Sequence, residues 1–362
     1  MTGHPHRSPD RRCKPVDEWP QRDRDLWLAA IRPGDVLEDV GQLSRRSEFT
    51  VRHLATAYGR YLTWLDSRGL LDERDALANR ITPARVRDYV AALERDNATS
   101  TIINRTTGLA LAAQVLNPQE NWSWIYRITA LVRARHKSAR PKRHRLVGSG
   151  VLFDLGIELM SRVQSEKAHR RRLITYRDGL LIALLAARPL RIRNLAGLAL
   201  DRNVMRRGEA WWIEVGAAET KTGEPIEVPW PQGLATYFEY YLSDIRPVLA
   251  ARRGRWTRPI GDALWLSTDG SPMSIKAIYD RVIINTQAAL GQRINPHLFR
   301  DCAATSIAID DPAHVGIASQ LLGHRSYSTT ERHYNQARAV EACRQYQAFL
   351  ISLRRKPFGL RA

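Results

Sequence analysis

The chain has 362 residues, of which 44% are hydrophobic and ten are tryptophan, and this composition predicts two folded domains and excludes an intrinsically disordered protein. The formal charge of +19 indicates a polyanionic partner, with nucleic acid as the first candidate and an anionic membrane surface as the second. Because there is no membrane-spanning apolar run, no apolar signal core and no metal-ligand spacing among the three cysteines, we expect a soluble, cytoplasmic protein without zinc or disulfides.

The first part of the chain predicts an arm followed by a helical domain. Residues 1–22 are rich in Pro, His, Arg and Asp and predict a flexible basic arm, which is either a solvated tail or a segment lying on DNA. From 23 to 137 the pattern is helical. Apolar residues recur at three- and four-residue spacing in segments 49–68, 82–95, 99–116 and 122–134. Thr82 before Pro83 is a helix start, and Asn97 and Ser100 are candidate caps for the third segment.

A dense basic run with a proline follows and predicts a linker over residues 138–146. Each cation that contacts a DNA phosphate releases counterions and adds affinity independent of sequence. The predicted DNA-contact residues of this run are Lys137, Arg140, Lys142, Arg143 and Arg145. The alternative is a solvated hinge with no contact to DNA.

A second domain is predicted over residues 147–362, with an apolar core helix at 171–186. The segment ARPLRIRNLAGLAL after it contains several arginines. The stretch EAWWIEVGAAETKTGEPIEVPW alternates in polarity and predicts two antiparallel strands joined by a tight turn at Gly223, with Lys221 just before the turn. Helical patterns follow at 231–252 and 274–290.

The most informative stretch is 294–336, INPHLFRDCAATSIAIDDPAHVGIASQLLGHRSYSTTERHYNQ. Asn295 and Pro296 predict the start of a helix that carries His297 and Arg300 on one face, three residues apart. A second helix over 315–322 ends at a glycine, so His324 lies in a turn, and a later helix carries Tyr334.

These residue types favour phosphoryl transfer without a metal. Arginine offers a planar fork to two phosphate oxygens, histidine donates a hydrogen bond or transfers a proton, and tyrosine can form a covalent phosphotyrosyl ester. The alternative for this stretch is a basic helical surface with one tyrosine packed against it.

The motifs HLFR, LLGHRS and TTERHY resemble the catalytic half of the tyrosine recombinases, also called phage integrases, and the resemblance extends over most of the chain from about Ser47. It implies a mainly α fold with a small antiparallel β-sheet: an N-terminal helical core-binding (SAM-like) domain and a C-terminal tyrosine-recombinase catalytic domain. It also maps the first catalytic arginine to Arg191, with Arg188 and Arg193 as competitors and Asn194 where the family has glutamate. Lys221 in Thr-Lys-Thr-Gly matches the lysine that the family carries on its hairpin.

The resemblance implies a site-specific DNA recombinase that needs no cofactor and no metal, and that acts in integration or excision of a mobile element. Its catalytic residues would be Arg191, Lys221, His297, Arg300, His324 and the nucleophile Tyr334. The family's tyrosine usually stands nine residues after the turn histidine, whereas here His333 holds that place and Tyr334 is the tenth. The implied partners are a double-stranded DNA recombination site, a homotetramer on DNA, and accessory DNA-bending or directionality factors.

Three alternatives remain open. A type IB topoisomerase uses the same residues, but the two-domain length and the Leu-Gly-His pattern favour a recombinase. The shifted tyrosine and the missing glutamate leave room for a non-catalytic, regulatory DNA-binding protein on an integrase scaffold. A metal-dependent nuclease or transposase requires clustered carboxylates, and none can be assigned from the sequence.

Overall fold

The computed structural model describes residues 13–34, 41–135, 145–165, 169–252 and 259–310. The chain forms two compact units, 1–140 and 141–362, which are described separately. The division falls within the predicted linker, most of which lies outside the described residues.

The described part of the first unit is helical. Its helices are α1 (Gln21–Ile31), α2 (Glu48–Asp66), α3 (Leu77–Arg80), α4 (Pro83–Asp96), α5 (Thr99–Leu116) and α6 (Ser123–Ala134). The four predicted helical segments are confirmed as α2, α4, α5 and α6. Thr82 caps α4 as expected, because its side chain accepts a hydrogen bond from the Arg85 N–H. The expected caps of α5 are wrong, since Ala98 stands at that position and makes no side-chain bond.

The folded part of this unit begins earlier in the chain than expected. The sequence predicts an arm that includes residues 13–22, yet Trp19 is 4% exposed. Its ring meets the rings of Trp27 and Tyr58 edge-on, at centroid distances of 5.4 and 4.9 Å. The Lys14 N–H also donates to the Thr63 hydroxyl on α2 at 3.0 Å. Residues 13–22 are therefore part of this unit's core packing, and only 1–12 of the predicted arm lie outside the described residues.

A charged pair is buried in the same core. Arg80 and Asp23 are 0% and 1% exposed, and the guanidinium of Arg80 donates to Asp23 Oδ2. The Tyr58 hydroxyl donates to the same oxygen, and this burial together with the Asp23 charge raises the pKa of Tyr58. The pair connects α1 to α3 through the interior of the unit.

The second unit combines helices with one sheet. Its helices are α7 (Ser149–Ser161), α8 (His169–Ala187), α9 (Ile192–Ala196), α10 (Ala235–Tyr240), α11 (Arg246–Ala250), α12 (Ile275–Leu290) and α13 (Pro296–Asp310), with a π-helical turn, Tyr241–Ile245, between α10 and α11. α8 is central and fully buried over residues 180–185, as its apolar sequence predicts. α7 and α8 cross at two glycines, where a Cβ on Gly156 would lie 2.6 Å from the Gly179 carbonyl oxygen.

The sheet is antiparallel and has the strand order β1 (Val204–Arg207), β2 (Ala210–Val215), β3 (Ile226–Pro229). The predicted pairing of β2 with β3 is confirmed. The predicted tight turn between them is wrong, because residues 216–225 connect the two strands and begin with a 3-10 turn, Ala217–Glu219. The tight turn lies instead between β1 and β2, where Gly208 adopts a φ of 60°. β1 had not been predicted.

Candidate active site

The turn between α8 and α9 presents Arg191. Within this turn the Leu190 N–H donates to the Arg188 carbonyl at 2.7 Å. The Arg191 carbonyl accepts the first helical hydrogen bond of α9, from the Leu195 N–H at 3.0 Å. The indole of Trp265 donates to the Leu195 carbonyl at 2.9 Å and holds α9 on the core. The backbone on both sides of Arg191 is therefore fixed, while its side chain is half-buried.

Helix α13 places Arg300 against this turn. The helix begins as predicted, because Asn295 Oδ1 accepts a hydrogen bond from the Leu298 N–H at 3.0 Å. Arg300 lies in the next turn and is 6% exposed. Its Nη1 donates to the carbonyl oxygen of Pro189, two residues before Arg191. The tertiary fold thus brings the two predicted arginines to one place.

Electrostatics shows the same proximity. The pKa of Arg300 is lowered to about 10, first by burial and second by the positive charge of Arg191, while the carboxylate of Asp301 acts in the opposite direction. Two neighbouring cations of this kind are stabilised by an anion that both can reach, and a phosphate offers two oxygens to the planar forks. The geometry therefore suits a phosphate group.

His297 and Lys221 lie at the surface. His297 stands three residues before Arg300 on α13, yet it is exposed whereas Arg300 is buried. Lys221 is exposed on the connection between β2 and β3. An exposed imidazole or ammonium is accessible both to a bound substrate and to solvent, which allows it to transfer a proton to the one and regain it from the other.

The competitors of Arg191 differ from it in position. Arg188 is half-buried, its pKa is lowered by burial, and it donates to the adjacent Ala187 carbonyl at 3.1 Å. Arg193 is exposed on α9. Of the three, only Arg191 contributes to the lowered pKa of Arg300. This favours Arg191 as the partner of Arg300.

Asn194, which replaces the family's glutamate, is 6% exposed. Its Nδ2 has no hydrogen-bond partner within the described part of the chain. It borders a cavity of about 430 Å³ that is also lined by Asn203 and Glu219. Asn203 is buried as well, but its Nδ2 donates to the Glu214 carbonyl at 2.9 Å and to Glu219 at 3.3 Å.

Several predicted site residues lie outside the described residues: His324, Tyr334, Lys137, Arg140, Lys142 and Arg143. Of the predicted DNA-contact run, Arg145 is described, and its Nη2 donates to the Arg293 carbonyl at 2.6 Å. Within the part of the chain that the structure describes, no group of three His, Cys, Asp or Glu side chains could hold a metal ion. Within the same ranges no helix is long and apolar enough to cross a bilayer.

The sequence analysis missed two parts of this site. One is the Pro189 carbonyl, which accepts from Arg300, because a backbone acceptor carries no signal in the side-chain pattern. The other is the buried Thr220 beside Lys221, whose burial the motif Thr-Lys-Thr-Gly does not reveal. The glycine three residues after Thr220 was a signal that the chain turns back on itself there.

Comparison with known proteins identifies the family of this chain. A model of the phage integrase family matches residues 159–341, just over half of the chain, and the protein belongs to that family. Tyrosine recombinase XerD of Pseudomonas aeruginosa is 30% identical over 164 residues, which cover 45% of this chain and 51% of that protein. Tyrosine recombinase XerD of Corynebacterium glutamicum is 26% identical over 290 residues, covering 75% and 82%. The chain spans about half the length of the first relatives that it matches.

Two solved structures share the fold. One is the XerH site-specific recombinase bound to difH substrate in a pre-cleavage complex, with a TM-score of 0.56, 14% identity, and coverage of 92% of this chain and 99% of that one. The other is a lambda integrase dimer bound to a COC' core site, with a TM-score of 0.50, 14% identity, and coverage of 81% and 91%. The expected fold class, mainly α with a small antiparallel sheet, is confirmed.

Proposed function

We propose that the protein is a tyrosine-type site-specific recombinase that cuts and rejoins double-stranded DNA through a 3'-phosphotyrosyl intermediate. The observation that carries the proposal is the hydrogen bond from the buried Arg300 guanidinium to the Pro189 carbonyl, which brings Arg300 to the turn that carries Arg191. Family membership and the relatives named tyrosine recombinases support the same reaction.

In the proposed reaction the Tyr334 oxygen attacks the scissile phosphorus and its proton passes to His297. The bond from phosphorus to the 5' oxygen breaks as the bond from tyrosine to phosphorus forms. Arg191, Arg300 and His324 bind the non-bridging oxygens, whose negative charge grows in the transition state.

Lys221 then donates a proton to the departing 5' oxygen. The phosphodiester energy is retained in the protein linkage, so rejoining to another 5' hydroxyl by the reverse steps needs neither ATP nor a metal.

The partners follow from this chemistry. Exchange between two duplexes requires four strand cleavages, which favours a homotetramer on a DNA recombination site. The basic run from Lys137 to Arg145 would contact DNA phosphates without regard to sequence. The reaction would serve the integration or excision of a mobile element and would use accessory DNA-bending or directionality factors. It would take place on DNA in the cytoplasm.

A nicked suicide substrate tests the proposal. With the full chain in EDTA, we expect a covalent protein–DNA adduct that resists denaturant. The adduct is lost in Tyr334→Phe and retained in the matched control Tyr327→Phe, which removes the hydroxyl of a different tyrosine, seven residues earlier. Binding of the DNA without an adduct would favour the regulatory DNA-binding protein and overturn the enzyme. An adduct lost only in Tyr327→Phe would move the nucleophile to that residue.

A further inference from the structure

The connection between β2 and β3 is built around one buried hydroxyl. Thr220 is 9% exposed, whereas its neighbour Lys221 is exposed. Thr220 stands between the 3-10 turn Ala217–Glu219 and a second turn that contains Gly223. The Thr220 side chain therefore points into the unit, directly beside the residue whose side chain points outward.

The Thr220 hydroxyl bridges both turns. Its Oγ1 lies 2.8 Å from the Glu224 carbonyl oxygen and 3.1 Å from the Ala217 carbonyl oxygen, and it can donate to either. Gly223 has a φ of 71°, which reverses the chain, and its N–H approaches the Thr220 carbonyl at 3.4 Å. The turn that carries Lys221 is thus held by both the hydroxyl and the carbonyl of Thr220.

The start of the same connection is held independently. The buried amide of Asn203, just before β1, donates to the Glu214 carbonyl at 2.9 Å and to Glu219 Oε2 at 3.3 Å. The Glu214 N–H returns a hydrogen bond to the Asn203 carbonyl at 2.7 Å. The segment before Thr220 is therefore anchored to the sheet. The hydrogen bond of the Thr220 hydroxyl connects this anchored segment to the exposed turn that carries Lys221.

We propose that Thr220 is a positioning residue for Lys221: its hydroxyl fixes the turn so that the lysine ammonium reaches the 5' oxygen that leaves the phosphorus. This inference rests on the proposed function, in which Lys221 is the proton donor. Lys221 gives one proton to the 5' oxygen and regains one from solvent, and Thr220 exchanges none. A lysine side chain has four rotatable bonds, so a fixed backbone origin restricts where its ammonium can go.

Two substrates separate positioning from folding. One is the nicked suicide DNA with its normal 5' oxygen, and the other carries sulfur in place of that bridging oxygen. A thiolate is a far better leaving group than an alkoxide, because the pKa of a thiol is about 8.5, and it leaves without a donated proton. A defect confined to proton donation disappears on the sulfur substrate, whereas a general structural defect remains on both.

The chain offers a matched control. Thr220→Val removes the hydroxyl at nearly constant volume, and Thr220→Ser keeps it. Thr222→Val makes the same chemical change two residues later, at a half-buried threonine whose hydroxyl makes no hydrogen bond to any part of the chain that the structure describes. Lys221→Ala serves as the reference for complete loss of the proton donor.

We expect Thr220→Val to form adduct about tenfold more slowly than the unmodified protein on the oxygen substrate, and within about twofold on the sulfur substrate. The rates of Thr220→Ser and Thr222→Val should stay within about twofold of the unmodified protein on both substrates. Lys221→Ala should form adduct slowly on the oxygen substrate and at a normal rate on the sulfur substrate. A normal rate of Thr220→Val on oxygen, or an equal loss on both substrates, overturns the positioning role.

If sulfur fails to restore Lys221→Ala, Lys221 is not the proton donor and the inference about Thr220 falls with it. The recombinase proposal is tested separately by the adduct and its loss in Tyr334→Phe. Failure of the one is therefore distinguishable from failure of the other.

Discussion

Arg300 donates a hydrogen bond to the carbonyl oxygen of Pro189, and Pro189 lies two residues before Arg191. One side chain of α13 is thereby tied to the backbone that presents the other arginine. This contact and the burial of Arg300 hold the Arg300 guanidinium beside the turn that carries Arg191. In the proposed reaction the Arg300 guanidinium would therefore meet the phosphate already in place, and such preorganisation lowers an activation barrier.

Arg300→Lys should retain the positive charge but lose the planar guanidinium, which can donate to two acceptors at once. One ammonium cannot serve both the Pro189 carbonyl and a phosphate in the geometry of a guanidinium, so we expect adduct formation to slow by about 10²- to 10³-fold. DNA affinity in a gel-shift assay should change little. The control Arg193→Lys alters an exposed arginine on α9 and should leave the rate near normal. Near-normal cleavage by Arg300→Lys would contradict this role.

Gly156→Ala should destabilise the second unit, because the new Cβ would lie 2.6 Å from the Gly179 carbonyl oxygen and from the Ala183 nitrogen. Separating two packed helices enough to fit it should cost about 1–3 kcal/mol in the free energy of unfolding, measured in urea. Gly150→Ala is the control on the same helix, where a Cβ meets nothing within 4 Å. It should be neutral or stabilise by up to about 1 kcal/mol. Equal effects would argue against the tight crossing.

Asp23→Ala should unfold the first unit far more easily. It leaves the guanidinium of Arg80 buried without its carboxylate, and such a loss costs about 3–5 kcal/mol. Glu48→Gln is the comparison, since its ion pair with Arg52 is exposed and should contribute less than about 0.5 kcal/mol. The free energy of unfolding in urea, followed by tryptophan fluorescence, measures both. A small effect of Asp23→Ala would mean that water reaches Arg80.

Asn194→Leu should be tolerated, because the amide Nδ2 that it removes has no partner within the described ranges. We expect a change of less than about 1 kcal/mol in the free energy of unfolding. Asn203→Leu makes the same substitution at the other buried asparagine of the cavity and strands the Glu214 carbonyl, which should cost about 1–3 kcal/mol. If Asn194→Leu proved as damaging as Asn203→Leu, the Asn194 amide would have a function that its contacts do not reveal.

The helices were predictable because their signals are local. Thr82 before Pro83 starts α4, and Ser274 caps α12 by accepting a hydrogen bond from the Ala277 N–H. Such a cap needs only four consecutive residues to be in place. The sheet was harder to predict, because the pairing of Val204 with Ile213 depends on residues that are not adjacent. The burial of Trp19 is not predictable for the same reason, since it depends on Trp27 and Tyr58.

The sequence by itself determined which chemical groups this protein has: a strong positive charge, arginines at 191 and 300, a lysine at 221, and the motifs that define its family. Only the tertiary structure decided that Arg300 is buried against Pro189 while His297, on the same helix, is exposed. The spacing of residues along a helix determines their relative direction. What each side chain meets depends on the packing of distant segments, and no local pattern encodes that packing.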